Sequence, residues 1–544
     1  MNESRMSQRA RRLAAACLLV LLLPLPARPQ QKFPLKVEVQ APLPVDFPVK
    51  DGVIELTLDQ AIEIALRRNL GIVIERYNRI HARLGIYEAL GIYDLHALAD
   101  LLATSSKTAV TNSTRPGNSR EEDFNFSLAQ AFPTGGTLSL GVGNSHVFQE
   151  FTNASLNTIG TSFYTSGFTF SYVQPLLRGF GREAFEHGLL VAQNASGVSQ
   201  ATFFAQLTAN LQQVINAYWS VVNAQGQLVV AQDALGLARE LHERNKIQVQ
   251  VGTLAPLDLV QSQANIATSE EGIISAQEQI GNAEDQLRRL LDVPPGDLWK
   301  ADIKPLTDAR TDQRLTIDLD QAIAQALKNR PELRSQELAL ELARLNARFI
   351  HNQARPQLDL TVDYGAGGAA TGFGGAFSQS TNLTFPTWTA KLHLDVPIQN
   401  RTARAATAIA DLDADRTRIE LDQLKTVVMT DVRQAARRVE TAAKQIDAAV
   451  AARKAQETNL DAERKRYENG ISTTFVVTQI QQQLTQSKSV EITAIVGYRT
   501  ALADYYRAIG ALPAQSGVEI EDRDPRPRRF TVAPGVDEKA YEKQ

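Results

Sequence analysis

Residues 421–472 read LDQLKTVVMTDVRQAARRVETAAKQIDAAVAARKAQETNLDAERKRYENGIS. Apolar side chains recur in alternating steps of three and four: Leu421, Leu424, Val428, then Ala435, Val439, Ala442 and Ile446. That is a helical period close to the heptad step of a coiled coil. The run stops at a strong turn signal, Tyr467-Glu468-Asn469-Gly470-Ile471-Ser472, and no proline interrupts the chain between Pro397 and Pro513. At 1.5 Å per residue, the residues from Pro397 to the turn make a rod of roughly 100 Å. A helix of that length does not fit the core of an ordinary globular domain.

The rod has a twin. Leu58-Asp59-Gln60-Ala61-Ile62, then Ala65-Leu66, returns as Leu319-Asp320-Gln321-Ala322-Ile323, then Ala326-Leu327. In both copies Thr or Asp precedes the apolar stripe, as a helix start prefers. Gln174-Pro175-Leu176 answers Val396-Pro397-Ile398, and Val251-Gly252-Thr253 answers Asn469-Gly470-Ile471. Between Pro175 and Gly252 the chain is again free of proline, with a stripe at Phe204, Leu207, Leu211, Val214, Tyr218 and Val221. Gly188, Gly197 and Gly226 are expected to weaken this first rod locally. Returning helices are expected at about 257–292 and 473–510. The order predicted for each half is short helix, strands, long helix, tight turn, returning helix.

The strands alternate with period two. Leu358, Leu360, Val362 and Tyr364 alternate with Gln357, Asp359, Thr361 and Asp363; Trp388, Ala390, Leu392, Leu394 and Val396 alternate with Thr389, Lys391, His393 and Asp395. A glycine-rich stretch, Gly365 to Gly375, is expected to be the loop joining them. In the first half, Phe168, Phe170 and Tyr172 alternate with Thr169 and Ser171, and Phe124, Phe126 and Leu128 with Asn125 and Ser127. Leu138, Leu140 and Val142 follow the turn Pro133-Thr134-Gly135-Gly136, and a weaker strand lies near Ala97 to Ser105. One apolar and one charged face suits a strand in a membrane barrel, which needs about eight strands or more and tolerates no open edge. Four to six strands in one chain cannot close. Three chains give twelve, or eighteen if the hairpin at 124–146 joins the wall.

The ends and the composition bound the rest. Arg9, Arg11 and Arg12 precede the apolar run Leu13 to Leu23, with a cleavage point expected near Ala27: a secretory signal. Cys17, the only cysteine, falls inside that run, so the exported chain has no disulfide. With a net charge of −3, no basic field points to nucleic acid. The seven histidines show no metal-binding spacing. No Walker A loop occurs; Gly365-Ala366-Gly367-Gly368 runs from strand to strand and offers no helix N-terminus to a phosphate. Neither a catalytic residue, a cofactor nor a metal site is expected.

In its order of parts the chain resembles the outer-membrane efflux protein family, the TolC-like channel-tunnels. The resemblance covers about residues 56–512. Its carriers are Leu56-Thr57-Leu58-Asp59-Gln60-Ala61, Gln174-Pro175-Leu176-Leu177-Arg178-Gly179, Arg355-Pro356-Gln357-Leu358 and the two tip turns. The likeness implies an α+β membrane protein: a tandem-duplicated protomer forming a trimeric outer-membrane β-barrel continued by a long periplasmic α-helical coiled-coil barrel. It implies a passive conduit in a tripartite efflux or type I secretion system. The implied partners are a periplasmic adaptor and an inner-membrane pump or ABC exporter. It would place the adaptor contact at Val251, Gly252, Thr253, Leu254, Asn469, Gly470, Ile471 and Ser472.

The family also implies a gate beside those turns. Better-known members pair an Asp six residues after the first tip glycine with a Tyr three before the second, here Asp258 and Tyr467. They place an Arg two residues after the second glycine and acidic rings six and nine after it. Here those positions hold Ser472, Val476 and Gln479. A carboxylate ring attracts cations; valine and glutamine do not, so this gate is expected to be held by packing and neutral hydrogen bonds. The expected organisation is a signal peptide at 1–27, a proline-rich lead-in at 28–55, repeats at 56–300 and 313–512, and a charged tail at 513–544. The rival reading is an exported structural coiled-coil protein without a pore, which leaves the alternating strands unexplained.

Overall fold

The computed structural model describes residues 47–107, 116–152, 158–310 and 314–518. These all fall in one compact unit that begins at Val45. The expected signal peptide with Cys17, the prolines up to Pro44 and the charged tail beyond residue 518 lie outside the described residues.

The short repeated motif is a helix start in both places. Thr57 Oγ1 accepts from the Gln60 amide, and Gln60 Oε1 accepts from the Thr57 amide, closing a capping box on α1 (Leu58–Arg68). Asp318 caps α5 (Leu319–Asn329) by accepting from the amides of Asp320 and Gln321. Each helix runs into a second, α2 (Leu70–Leu90) and α6 (Pro331–Gln353). The long rods are α3 (His187–Gln250) and α8 (Arg401–Glu468), with 64 and 68 residues. At 1.5 Å per residue each is about 100 Å long. The returning helices are α4 (Pro256–Leu290) and α9 (Thr474–Ala508).

The rods bury the stripes expected of them. On α8, Leu421, Val428, Ala435, Val439 and Ala442 are buried; on α3, Leu207, Leu211, Val214, Tyr218 and Val221 are. The glycines do not break α3. Gly226 instead permits close packing, since a Cβ there would come 2.8 Å from Ile492 Cγ2 on α9. Gly226→Leu is therefore expected to destabilise the helical part by about 1–3 kcal/mol through overpacking. Chemical unfolding measures it, and Ile492→Ala in the same background should recover part of the loss.

The strands form one continuous antiparallel sheet in the order β3 (His96–Lys107), β4 (Pro116–Ala131), β5 (Thr137–Thr152), β6 (Thr158–Pro175), β8 (Gln357–Ala370), β9 (Phe385–Asp395). The hairpin at 124–146 is thus an integral part of the sheet. The pairing of β6 with β8 joins the two halves of the chain. The glycine-rich stretch is not a loop: Gly365 to Ala370 continue β8, and α7 (Phe373–Thr381) follows. It folds back on the sheet, with Phe377 against Phe168 and Phe373 edge-on to Tyr164.

A second, three-stranded sheet joins β1 (Val49–Lys50), β2 (Val53–Leu56) and β7 (Asp302–Pro305). The lead-in expected to be merely extended therefore ends in two paired strands. Its core holds Ile54, Leu56, Ile303, Tyr218 and Leu287. Tyr218 Oη donates to Leu56 O and accepts from the Thr307 amide, both at 3.0 Å. Beside it lies a buried ion pair, Glu284 with Arg288, at 2.7 Å. Glu284 Oε1 also accepts from the Ile303 amide at 3.2 Å, and Arg288 donates to Ala301 O at 2.8 Å. Burial pushes the Glu284 carboxyl above the usual carboxylate range.

Among the described residues no helix is long and apolar enough to cross a membrane.

Candidate gate at the tips of the helical hairpins

The two hairpins end in turns of the same design. After α3, the Thr253 amide bonds to Gln248 O at 2.9 Å; after α8, the Ile471 amide bonds to Arg466 O at 2.9 Å. These six-to-one bonds close a Schellman motif, which needs a left-handed residue just past the helix. Gly252 has φ +81 and Gly470 φ +73, values that glycine adopts without strain. Pro256 then opens α4 and Thr473 caps α9. The apolar side chains at this end face outward: Val251 is 73% exposed, Ile471 76% and Leu257 76%. Thr253, Asn469 and Gly470 are exposed too, with Leu254 half-buried.

Just above the turns the two hairpins of one protomer are tied together. Leu241 of α3 packs with Leu460 and Tyr467 of α8 and with Val477, Ile480 and Leu484 of α9. Inside this cluster Tyr467, 5% exposed, donates its hydroxyl proton to Asn245 Oδ1 at 2.6 Å. The tyrosine oxygen also lies 3.0 Å from Gln248 Oε1, a second acceptor, and 3.3 Å from the Thr474 hydroxyl. Asn245 is fully buried, and its amide donates to Thr474 Oγ1 at 3.3 Å. Desolvation raises the Tyr467 pKa, with a smaller contribution from the Asp258 charge, so the phenol stays a proton donor at neutral pH. Around the cluster lie ion pairs between the hairpins: Arg244 with Glu468, and Arg464 with Glu240 at 3.0 Å.

The residues expected at the gate are placed as follows. The Tyr467 hydroxyl bonds to Asn245, Gln248 and Thr474 rather than to Asp258. Asp258 is half-buried in the first turn of α4. Ser472, where better-known relatives carry arginine, donates its hydroxyl to Glu463, itself buried. Val476 is half-buried against the apolar cluster, and Gln479 is exposed. Sequence reasoning missed Asn245 and Gln248. The available signal was that the core stripe Ala238–Leu241 continues, in steps of four and three, onto two amides. A polar residue at such a position sets register and partner in helical packing.

No group of acidic, histidine or cysteine side chains that could hold a metal occurs among the described residues.

Residues 322–511 match the family described as Outer membrane efflux protein. No curated protein sequence matches the chain. Solved structures share the fold along most of its length. The Campylobacter jejuni CmeC outer membrane channel superposes with a TM-score of 0.62 at 14% identity, covering 84% of this chain and 86% of that one. The outer membrane protein VceC from Vibrio cholerae gives 0.61 at 14% identity, covering 83% and 96%. The open-state MtrE outer membrane channel of Neisseria gonorrhoeae gives 0.57 at 18% identity, covering 84% and 89%.

Proposed function

We propose that the chain is the channel subunit of an outer-membrane efflux or export system, a conduit that holds no catalytic machinery and is gated at its helical tips. The observation that carries the reading is the six-stranded sheet with two unpaired edges. Both edge strands, β3 and β9, are exposed along their whole length. Because the number of strands is even, β9 of one copy meets β3 of the next antiparallel. Three copies then close a wall without an open edge, as a bilayer requires. One face of the sheet is apolar, with Phe126, Val142 and Phe168 paired across it; the other carries Ser171 and Asp363, hydrogen-bonded at 2.6 Å. Beyond the patch around Phe168 that α7 covers, the first face suits lipid and the second a watery lumen.

The tips carry the other half of the proposal. Exposed Val251, Leu257 and Ile471 form the surface for a periplasmic adaptor, which links the tube to an inner-membrane pump or ABC exporter. The Tyr467 cluster holds the hairpins together, and its release opens the tube. The experiment is membrane fractionation with gel migration, heated and unheated, followed by recording in planar bilayers. An outer-membrane trimer that forms a pore supports the reading; a non-membranous protein without conductance would return it to a structural coiled coil. Val476→Asp adds a ring of three carboxylates at the tip. The concentration of divalent cation that half-blocks the pore should fall roughly tenfold, about 1.4 kcal/mol of added affinity. An unchanged block would remove Val476 from the lumen.

A further inference from the structure

The helix α7 lies on the apolar face of the large sheet, toward the end away from the rods. β8 follows α6 and β9 leads into α8, so Gln357 and Asp395 mark the end of the sheet nearest the helices. From Gln357 the strand reaches Gly368 in eleven steps of about 3.3 Å; at a tilt of about 40° it climbs about 28 Å. The apolar band of a membrane barrel is about 25 Å tall and edged by aromatic residues. α7 therefore sits at the outer margin of such a band. It sits on the lipid side, because Tyr164, Ser166 and Phe168, which it covers, share the face of Val142 and Phe126.

We infer that α7 and the turn after it are seated in the outer leaflet, against lipid acyl chains, and that three copies form a collar around the outer rim of the barrel. This inference rests on the channel reading above.

The segment suits a medium without water. No charged residue and no histidine occurs from Tyr364 to Ala390. On β4 and β5, by contrast, the same face turns charged past the apolar rows, with Arg120, Glu122, His146 and Glu150. The polar side chains of α7 bond within the protein, as lipid requires. Thr381 and Ser380 each donate to Phe377 O at 3.0 Å, and Asn382 donates to Ser378 Oγ at 3.2 Å. Gln379 Oε1 accepts from the Ala369 amide at 3.0 Å. The hydroxyl oxygens of Ser380 and Ser166, both buried, lie 3.2 Å apart under the helix. Phe373 and Phe377 stack on each other and remain 50% and 38% exposed, so their burial is unfinished in the protein alone.

The seat and the turn point the same way. Any side chain at Gly368 would collide with Ala376 O, so glycine lets the helix lie flush on β8. α7 ends in a Schellman turn, with the Thr384 amide bonded to Gln379 O at 2.9 Å. At both hairpin tips the left-handed position of this turn holds glycine. Here it holds Leu383, at φ +53. Leucine takes that conformation only under strain. In exchange the turn carries an apolar side chain two residues before exposed Phe385. That side chain has no use in water and a direct one among acyl chains.

Spin labels test the seat. Cys17 is the only cysteine and lies in the expected signal peptide, so single introduced cysteines can be labelled. Trimers are reconstituted in liposomes, and collision with oxygen or with a water-soluble nickel chelate reports lipid or water around each label. Ser378 and Thr381 are exposed on α7. Labels at Ser378→Cys and Thr381→Cys should respond to oxygen and lose the response to the chelate, as should Phe126→Cys in the wall. Arg120→Cys, past the apolar rows, should respond to the chelate. Chelate response at Ser378→Cys and Thr381→Cys, with Phe126→Cys still shielded, overturns the inference alone. Chelate response at Phe126→Cys overturns the channel reading instead. Native Trp388, on the apolar face of β9, checks the wall without any substitution: acyl-brominated lipid should quench its fluorescence.

Discussion

Tyr467→Phe should raise the open probability of the channel at least about tenfold, for a loss of 1.4 kcal/mol or more. The substitution removes one oxygen from a site where nothing can replace it. Asn245 is 0% exposed and its Oδ1 accepts the tyrosine proton at 2.6 Å. Leaving a buried acceptor without a donor costs about 1–3 kcal/mol, and a trimer carries three such sites. On the gating proposed above, in which α3 and α8 part as the tips spread, the cost falls on the closed arrangement. Restoring balance should restore closure: with Asn245→Leu and Thr474→Val added, no fully buried member of the network is left orphaned, and the triple variant should leak less than Tyr467→Phe alone. The same bond sets an alkaline limit. The folded Tyr467 pKa is raised above 10.0 by burial, so the neutral phenol is favoured in the clasped state. Its contribution is complete below the unfolded value and is lost as pH rises through the folded one. Recordings on wild type should show the closed state weakening only above about pH 10. An unaltered open probability in Tyr467→Phe would remove the clasp from the gate.

Glu284→Ala should destabilise the small sheet and the end of α4 by about 1–3 kcal/mol per protomer, since the buried Ile303 amide loses its acceptor while Arg288 keeps only its pairing with exposed Asp285. Glu284 is 4% exposed and Arg288 6%. Together they hold Ala301 and Ile303 against the helix through backbone bonds. Glu284→Gln should cost less. Desolvation is the largest influence on this carboxyl, so removing its charge recovers part of the burial penalty while a carbonyl oxygen remains for Ile303. Urea unfolding followed by far-ultraviolet circular dichroism measures both. Equal midpoints for wild type and Glu284→Ala would show that the pair does not hold this region.

The rods, the tip turns and the phase of each strand were legible because they rest on local periodicity. Leu421 to Ala442 repeat every three or four residues, and Phe168 to Tyr172 every second one. The sheet's membership was not legible. Alternation at Phe124–Leu128 reads the same in a free hairpin as in a wall, and the pairing of Tyr172 with Val362 spans the two halves of the chain. Gly365 to Ala370 read as a loop because glycine weakens an isolated strand. Here they are paired on both sides, to β6 and, as far as Gly367, to β9. At the tip, both turn glycines were found from spacing and Tyr467 from the family resemblance, but its partners Asn245 and Gln248 sit on another helix, more than two hundred residues earlier. Only the three-dimensional packing brings Asn245 to it.

The open edges of the sheet bear on how the protein is made. A newly exported monomer that has paired β3 through β9 presents two rows of free backbone groups, flanked by Leu101 at 83% exposure and Trp388 at 78%. Such an edge joins any strand it meets, including the wrong one. On the channel reading proposed above, assembly is then a race between correct ring closure and aggregation in the periplasm. A slow trimerisation step would be more damaging here than a slow helix, and the cell gains most by keeping the strands unpaired, under chaperone, until three chains reach the membrane together.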